Sequence, residues 1–508
     1  MTTTPAALRP TANTGLPLAA LFPGGADVTV TGVSLDSRST SPGDLYVALP
    51  GQATHGARFA EQAIGNGAVA VVTDAAGAAL LPNVGVPVVV VGDPRTEMAR
   101  LAVEVYGRPA ERLSMYGVTG TTGKTSTTFL LAAALTAAGR TVGTIGTIGF
   151  ALAGSQLASP RTTVTTPESP DLQALLALLA EAGADDVAME VSSHALALHR
   201  VDGLVFDVAA FTNLGRDHLD FHSDQEHYFQ AKATLFRDGR CRSAVVNIDD
   251  KYGRRLAAEV AADSTIRLVT TGRTAAADYH PVASEQGADG RARVRLATPS
   301  GEVAFTLGLL GDFNVRNATT ATAMLDLAGI DLAAALPGFA EAFVPGRMQR
   351  VDLGPGAPGV VVDFAHTPES VAAALAALPK VRRIAVLGCG GDRDHPKRGP
   401  MGAAAAEGAD VVVVTDDNPR SEEPAVIRAA VLAGARDAAE RTGADVIDGG
   451  GRSDAIATAL RLAGAGGWVA VLGKGHETGQ HLADRTIAFD DVEAVKAEWA
   501  RITEDADA

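Results

Sequence analysis

The sequence predicts an α/β protein of three consecutive blocks with mainly parallel sheets. Its 508 residues correspond to about three domains of ordinary size. Hydrophobic residues make up 46% of the chain and aromatics only 5%, so Ala, Val and Leu must fill the cores, as in α/β proteins with buried parallel strands. Strand and helix patterns also alternate along the second block, which implies a parallel sheet.

The first block runs to about Tyr106. It carries short apolar strands at 68–72 and 88–91, the latter read as buried, and turn-rich segments such as Ser41-Pro42-Gly43-Asp44. Gly107-Arg108-Pro109 reads as a linker. The second block opens with a strand at 113–118, a loop, and a helix from Lys124 to Ala138 stopped by Gly139. A helix at 171–182 and strands at 187–190 and 206–211 follow, and Pro345-Gly346 closes the block. The expected divisions are 1–107, 108–345 and 346–508. In the third block four strands each run into a polar loop. Strand 360–364 leads to Ala-His-Thr-Pro, 384–387 to Gly-Cys-Gly-Gly-Asp-Arg-Asp, 411–414 to Thr-Asp-Asp-Asn-Pro-Arg, and 468–472 to Gly-Lys-Gly-His-Glu. Ligands of open parallel sheets bind outside the strands' carboxyl ends, so these loops are read as one site.

Composition narrows the function. A formal charge of −16 argues against a broad nucleic-acid surface, because phosphates would be repelled. Cys241 and Cys389 are the only cysteines, without metal-ligand spacing, which fits a reducing cytoplasm and excludes a disulfide scaffold. The opening ten residues lack the apolar stretch of a signal peptide, and no run approaches the roughly 20 apolar residues of a membrane span. The expectation is a cytoplasmic protein without membrane insertion.

Thr119-Gly120-Thr121-Thr122-Gly123-Lys124-Thr125 lies between an apolar strand and a helix. Glycines let backbone N–H groups approach phosphate oxygens, and the helix N-terminus adds partial positive charge. Lys124 would neutralise the outer phosphates and the Thr125 hydroxyl would bind Mg²⁺. The general pattern wants a glycine where this chain has Val118. Further Mg²⁺ ligands are sought at strand ends, since a hard cation prefers oxygen. Glu190 closes one strand, in Met-Glu-Val-Ser-Ser-His, and His218 follows another, in Asn-Leu-Gly-Arg-Asp-His-Leu-Asp. Alone, each would read as a surface carboxylate and a loop histidine; beside a phosphate loop they read as functional.

Thr-Gly-Thr-Thr-Gly-Lys-Thr, Met-Glu-Val-Ser-Ser-His-Ala-Leu, Tyr-Phe-Gln-Ala-Lys and Asp-Asn-Pro-Arg together closely resemble motifs of the Mur ligases, whose own phosphate loop dispenses with the glycine missing at Val118. The matches run from Asp36-Ser37-Arg38 to Gly473-Lys474-Gly475-His476-Glu477, nearly the whole chain. The resemblance, to the branch that adds diaminopimelate, implies an N-terminal UDP-binding α/β domain, a central P-loop ATPase domain and a C-terminal Rossmann-like domain for the incoming amino acid. It implies ATP and Mg²⁺ as cofactors, with Gly120, Thr121, Thr122, Gly123, Lys124, Thr125 and Ser126 at the phosphates, Asn317 at the adenine and Asp363 at the ribose. Leu35 and Ser37 would contact uridine, with Gln52, Ala53 and Thr54 nearby. Thr165, Thr166, Ser192 and Arg200 would hold the muramyl peptide. Val164 and Leu198 stand where some relatives carry Asn and Gln, and neither is taken as a site residue. Lys232 matches the family's lysine that carries a CO₂-derived carbamate and, with Thr125, Glu190 and His218, would position the metal. Arg393, Asp417, Asn418, Pro419, Arg420, Gly473 and Glu477 would hold diaminopimelate. Blander readings exist for several: Ser37 or Thr165 as turn caps, Asn317 as a helix cap, Lys232 as a solvated helix lysine or the partner in a substrate salt bridge, and Arg420 as the surface partner of Glu422 or Glu423.

The implied reaction is acyl-phosphate ligation. The D-glutamyl side-chain carboxylate of a UDP-linked muramyl dipeptide attacks the γ-phosphate, and the amine of diaminopimelate then attacks the carbonyl and releases phosphate. Lys124, Glu190, His218 and Lys232 would carry the catalytic work, and a monomer is expected. The same ligation with lysine is one alternative. Folylpolyglutamate synthetase is another, but lacks the Asp36-Ser37-Arg38 block and the Asp-Asn-Pro-Arg loop. A P-loop switch is a third, which leaves the converging loops of the third block unexplained.

Overall fold

The computed structural model describes residues 8–11, 13–51, 53–157, 165–215, 217, 221–287, 291–392 and 395–507. The chain divides into two compact units. The first runs to Glu341 except for Glu285–Ala292 and Leu307–Val315, which belong with the chain from Ala342 onward in the second.

The first unit holds two parallel sheets. Gly32–Ser34, Asp44–Ala48, Ala70–Thr73 and Val88–Val90 form a four-stranded parallel sheet in that order. Side-chain alternation feeds both faces: Leu45 and Val47 pack with Met98 and Leu101 of helix Pro94–Val105, whereas Tyr46 and Ala48 pack with Ala60 and Ala63. Val88–Val90 is not the buried strand its sequence suggests. It is the sheet's edge, and Val90 is 54% exposed, because an apolar run alone does not say which strand has a neighbour on both sides.

The larger sheet has eight strands. Its six parallel ones are, in order, Val142–Gly146, Asp186–Glu190, Ser114–Thr119, Phe206–Phe211, Cys241–Asn247 and Arg267–Thr271. Ser114–Thr119 therefore lies at its middle, and Glu190 pairs in register with Val118, Phe211 with Thr119. Helix Lys124–Ala137 follows, and Gly139 in the left-handed region lies just beyond its end, as expected. Helix Ser169–Glu181 begins two residues earlier than the apolar pattern indicates, since Pro170 fits a first helical turn. Asn317 sits inside helix Asp312–Leu327, so it is not an N-cap; its amide lacks the boundary position a cap needs.

In the second unit Gly359–Asp363, Trp468–Leu472, Arg383–Leu387, Val411–Thr415 and Asp445–Gly450 run parallel in that order, with Gln349–Val351 antiparallel at one edge. Val361, Ala385, Leu387, Val412 and Val414 face the core beneath helices Pro368–Ala376, Arg398–Gly408 and Pro424–Thr442. Val360, Ile384, Val386 and Val413 face that beneath Arg452–Ala463. Both faces are covered, as in doubly wound sheets, and the four predicted loops leave adjacent strands at one edge. Helices Arg398–Gly408 and Pro424–Thr442 touch backbone to backbone. A Cβ on Gly402 would lie 2.1 Å from the Val431 carbonyl oxygen, and one on Gly434 2.0 Å from that of Gly399.

Candidate functional site

The first unit's site begins where strand Ser114–Thr119 passes into helix Lys124–Ala137. Gly120 (φ 148°) and Gly123 (φ 87°) make the loop's sharp bends, and neither has room for a side chain. A Cβ on Gly120 would fall 1.9 Å from Thr212 Oγ1, and one on Gly123 2.5 Å from Asn317 Oδ1. The second approach places Asn317 against the phosphate loop. Asn213 fastens the loop from the neighbouring strand end: its Oδ1 accepts from Thr122 N at 3.1 Å and its carbonyl from Thr121 N at 2.9 Å. Lys124 Nζ donates to the carbonyls of Gly120 (2.9 Å) and Thr121 (3.0 Å), and Ser126 is buried in the helix's first turn.

Glu190 ends the adjacent strand as a buried carboxylate. Thr125 Oγ1 donates to its Oε2 at 3.0 Å, and Thr147 donates to Oε1 through N (2.8 Å) and to Oε2 through Oγ1 (3.1 Å). Thr147 follows strand Val142–Gly146 and was missed in the sequence; its one signal was that same strand-end position. Lys232, on helix Gln225–Ala233, is 1% exposed and donates to the Gly120 carbonyl at 2.9 Å, so the solvated reading fails. Burial, reinforced by the Lys124 cation, pushes its amine well below the ordinary lysine range. The Tyr228 ring lies 4.5 Å from Nζ, and the Tyr228 hydroxyl is 3.2 Å from Thr121 Oγ1. His218, Gln52, Arg393 and Val164 lie outside the described residues.

Beyond Glu190, Thr166 Oγ1 donates to the Glu190 carbonyl (2.9 Å) and accepts from Ser192 N (3.1 Å), and Thr165 Oγ1 lies 3.1 Å from that of Thr147. Arg200 donates to the Thr166 carbonyl at 3.0 Å and pairs with Glu168 at 2.8 Å. Thr165, Thr166, Ser192 and Arg200 thus join one network with Glu190. In the four-stranded sheet, Leu35 and Ser37 follow one strand, Ala53 and Thr54 the next. Leu35 packs partly on the core, Ala53 and Thr54 are exposed, and the Ser37 hydroxyl donates to Gln62 Oε1 at 2.7 Å, leaving its lone pairs as acceptors.

In the second unit, Asp363 closes its strand buried, accepting from Met348 N at 2.6 Å; burial pushes its carboxyl up despite nearby Arg347. Asp417, Asn418, Gly473 and Glu477 come together: Asn418 Nδ2 donates to Glu477 Oε2 at 2.8 Å, and a Cβ on Gly473 would lie 2.5 Å from Asp417 Oδ2. Burial likewise pushes the Asp417 carboxyl up, although Arg452 and Lys474 oppose it. Lys474, fully buried, donates to Asn418 Oδ1 (3.2 Å) and Glu477 Oε2 (3.3 Å); only its place within Gly-Lys-Gly-His-Glu hinted at this. Arg420, after Pro419, does not pair with Glu422 or Glu423. Its Nη1 donates to the Gly391 carbonyl at 2.8 Å, and Glu422 takes Arg398 instead.

A strand, glycine loop and helix N-terminus of this geometry define a phosphate-loop fold of the kind that nucleoside-triphosphate enzymes use. Comparison with known proteins narrows the class. The Mur ligase family, catalytic domain matches residues 29–106, the Mur ligase middle domain 118–325, and the Mur ligase, glutamate ligase domain 346–475. The chain belongs to the Mur ligase family. It is 46% identical over 481 residues to UDP-N-acetylmuramoyl-L-alanyl-D-glutamate–2,6-diaminopimelate ligase of Streptomyces avermitilis, covering 92% of this chain and 91% of that one. It is 42% identical over 507 residues to UDP-N-acetylmuramyl-tripeptide synthetase of Leifsonia xyli, with 96% of each covered. A solved structure of a diaminopimelate ligase of the first name matches with a TM-score of 0.70 at 31% identity, over 96% of this chain and 99% of that one. Among the described residues no helix is long and apolar enough to cross a membrane.

Proposed function

We propose that this chain uses ATP to join diaminopimelate to the D-glutamyl side-chain carboxylate of UDP-N-acetylmuramoyl-L-alanyl-D-glutamate, releasing ADP and phosphate. Residues 1–107 take the UDP group, 108–345 the ATP and 346–508 the amino acid. The observation that carries the choice of substrate is the hydrogen-bonded union of the Asp417–Arg420 loop with Glu477. It sets a guanidinium and a carboxylate on adjoining loops, which suits an amino acid ending in both a carboxylate and an ammonium. The names of the relatives support the same reading.

A carboxylate is a poor electrophile, so it is first activated. Its oxygen attacks the γ-phosphorus, ADP leaves, the amine attacks the resulting acyl phosphate, and phosphate departs as the amine loses a proton. Thr166, Ser192 and Arg200 orient the peptide beside Glu190. Lys124 exchanges the loop carbonyls it now touches for phosphate oxygens, stabilising charge on the transferring group. Glu190 with the Thr125 and Thr147 hydroxyls is an all-oxygen donor set suited to Mg²⁺, which when bound neutralises phosphate charge. Lys232, whose amine burial and the Lys124 cation make a weaker base than an ordinary lysine, is the residue we read as combining with CO₂ into a carbamate. We also propose that the enzyme acts in the cytoplasm, where nucleotide-linked substrates and ATP are found, and as a monomer.

The test measures ADP release with the UDP-dipeptide across a panel of amino acids, in wild type and Arg420→Ala. Diaminopimelate should be preferred over lysine by about 2–5 kcal/mol, since lysine leaves the guanidinium without its anion. Equal use of both by wild type, or undiminished selectivity in Arg420→Ala, would overturn the assignment.

A further inference from the structure

Two loops of the second unit carry the proposed amino-acid subsite: 388–392, after strand Arg383–Leu387, and 416–422, after strand Val411–Thr415. Several bonds stitch them. Gly391 N donates to the Asn418 carbonyl (2.9 Å), Arg420 Nη1 to the Gly391 carbonyl (2.8 Å), and Ser421 to the Asp392 carboxylate through N (3.1 Å) and Oγ (2.5 Å). Asp392 (φ 57°) and Arg420 (φ 52°) both occupy the left-handed region; Asp tolerates it, but Arg does not favour it, so something beyond local preference holds Arg420 there.

The strongest tie lies behind them. Arg398, the first residue of helix Arg398–Gly408, is buried; its Nη1 donates to Glu422 Oε2 at 3.0 Å and its Nη2 to Oε1 at 2.8 Å. Arg398 Nη2 also reaches the Gly390 carbonyl at 3.3 Å, and Glu422 Oε1 accepts from Asp392 N at 2.5 Å and lies 3.3 Å from His395 Nε2. Glu422 sits just before helix Pro424–Thr442, yet its Oε1 serves the other loop, through Asp392 N, and its Oε2 serves Arg398 of helix Arg398–Gly408. An exposed ion pair is worth little, but a two-point guanidinium–carboxylate pair with the arginine buried fixes direction as well as distance.

We propose that Arg398 and Glu422 are positioning residues: their ion pair latches loop 388–392 to loop 416–422 and so sets where Arg420 presents its guanidinium to the amino-acid substrate. This rests on the reading of that cluster as the amino-acid subsite. In this role the pair acts through Arg420 and the Gly391 carbonyl rather than on the substrate itself. Loosening it costs affinity for the diamino acid and leaves the first unit's phosphate loop untouched.

The experiment takes the full chain as wild type, Glu422→Gln, Glu422→Asp and Arg398→Lys, and measures KM for diaminopimelate, ATP and UDP-dipeptide, kcat at saturation, and thermal melting. Glu422→Gln keeps the side chain's shape and removes its charge. It should raise KM for diaminopimelate about tenfold, by analogy with the cost of misplacing a binding group, while the other two KM values and kcat stay within about twofold. Glu422→Asp should fall between wild type and Glu422→Gln. Unchanged KM for diaminopimelate in both Glu422→Gln and Arg398→Lys overturns the latch, as does a parallel rise of all three KM values with a lowered melting midpoint. A wild type that does not use diaminopimelate at all overturns the underlying functional reading first, and the latch with it.

Discussion

The phosphate loop of the first unit and the loop cluster of the second both stand at the carboxyl ends of parallel strands, but the charged groups they present are tied over different distances. Lys124 finds its carbonyl partners three and four residues away, so that loop brings its charge with it. In the second unit Asn418 meets Glu477 across 59 residues, Lys474 meets Asn418 across 56, and Arg420 meets Gly391 across 29. A phosphate group is common to every nucleotide and can be met by one compact loop, braced here by Asn213 and Lys232 from 91 and 112 residues away. An amino acid with two distant charged ends needs groups from several strands, and the sheet order supplies them. One expects damage to the first site to be absolute and damage to the second to be graded.

The largest effect should come from Lys124→Ala. Its ammonium faces charge that grows during phosphoryl transfer and donates to carbonyls of its own loop, so ligation should fall at least about a hundredfold with the melting midpoint little changed. Near-normal product formation by a folded variant would break the local half of the comparison. Lys232 sharpens it, being a long-range contributor to the local site through the Gly120 carbonyl. Activity should rise with added bicarbonate, and Lys232→Ala should lose activity and regain part of it with short carboxylic acids. An unmodified lysine together with indifference to bicarbonate removes the carbamate.

The smallest effect concerns the second unit's stability. Burial, with the Arg347 cation assisting, pushes His476 from 6.5 down to about 4. The unfolded imidazole therefore takes its proton near pH 6.5 while the folded one resists until about 4, and acidification through that window favours unfolding. The loss should reach at most about 3 kcal/mol, read from denaturant midpoints between those pH values. His476→Phe, which cannot titrate, should flatten the profile; an equal slope in that variant would assign the loss elsewhere.

The contrast also explains what the sequence made legible. A glycine loop between an apolar strand and a helix is a local pattern, and residues 119–126 were read whole. Strand identity was legible too, because valine-rich runs buried on both faces announce parallel strands, although ends drifted from 113–118 to Ser114–Thr119 and from 68–72 to Ala70–Thr73. Apolarity does not mark where hydrogen bonding stops. Thr147 and Lys474 escaped notice because what distinguishes them is a partner: a carboxylate 43 residues away for one, an amide 56 residues away for the other. The turn of Arg420 away from its neighbouring glutamates was equally hidden, since it depends on a backbone angle that no local residue pattern demanded.

Helices Arg398–Gly408 and Pro424–Thr442 begin at, or just after, the two members of the Arg398–Glu422 pair and meet where Gly399, Gly402 and Gly434 let their backbones touch. The distance between the two loops is thus inherited from three positions that contribute no side-chain atoms. Anyone seeking to retrain this protein toward a different amino acid has a wide choice of exposed loop residues to vary. Those three glycines are the part of the scaffold that a mutational library should leave alone. One added methyl group at Gly402 would wedge the helices apart and shift both loops together, spoiling every pocket the library tried to shape.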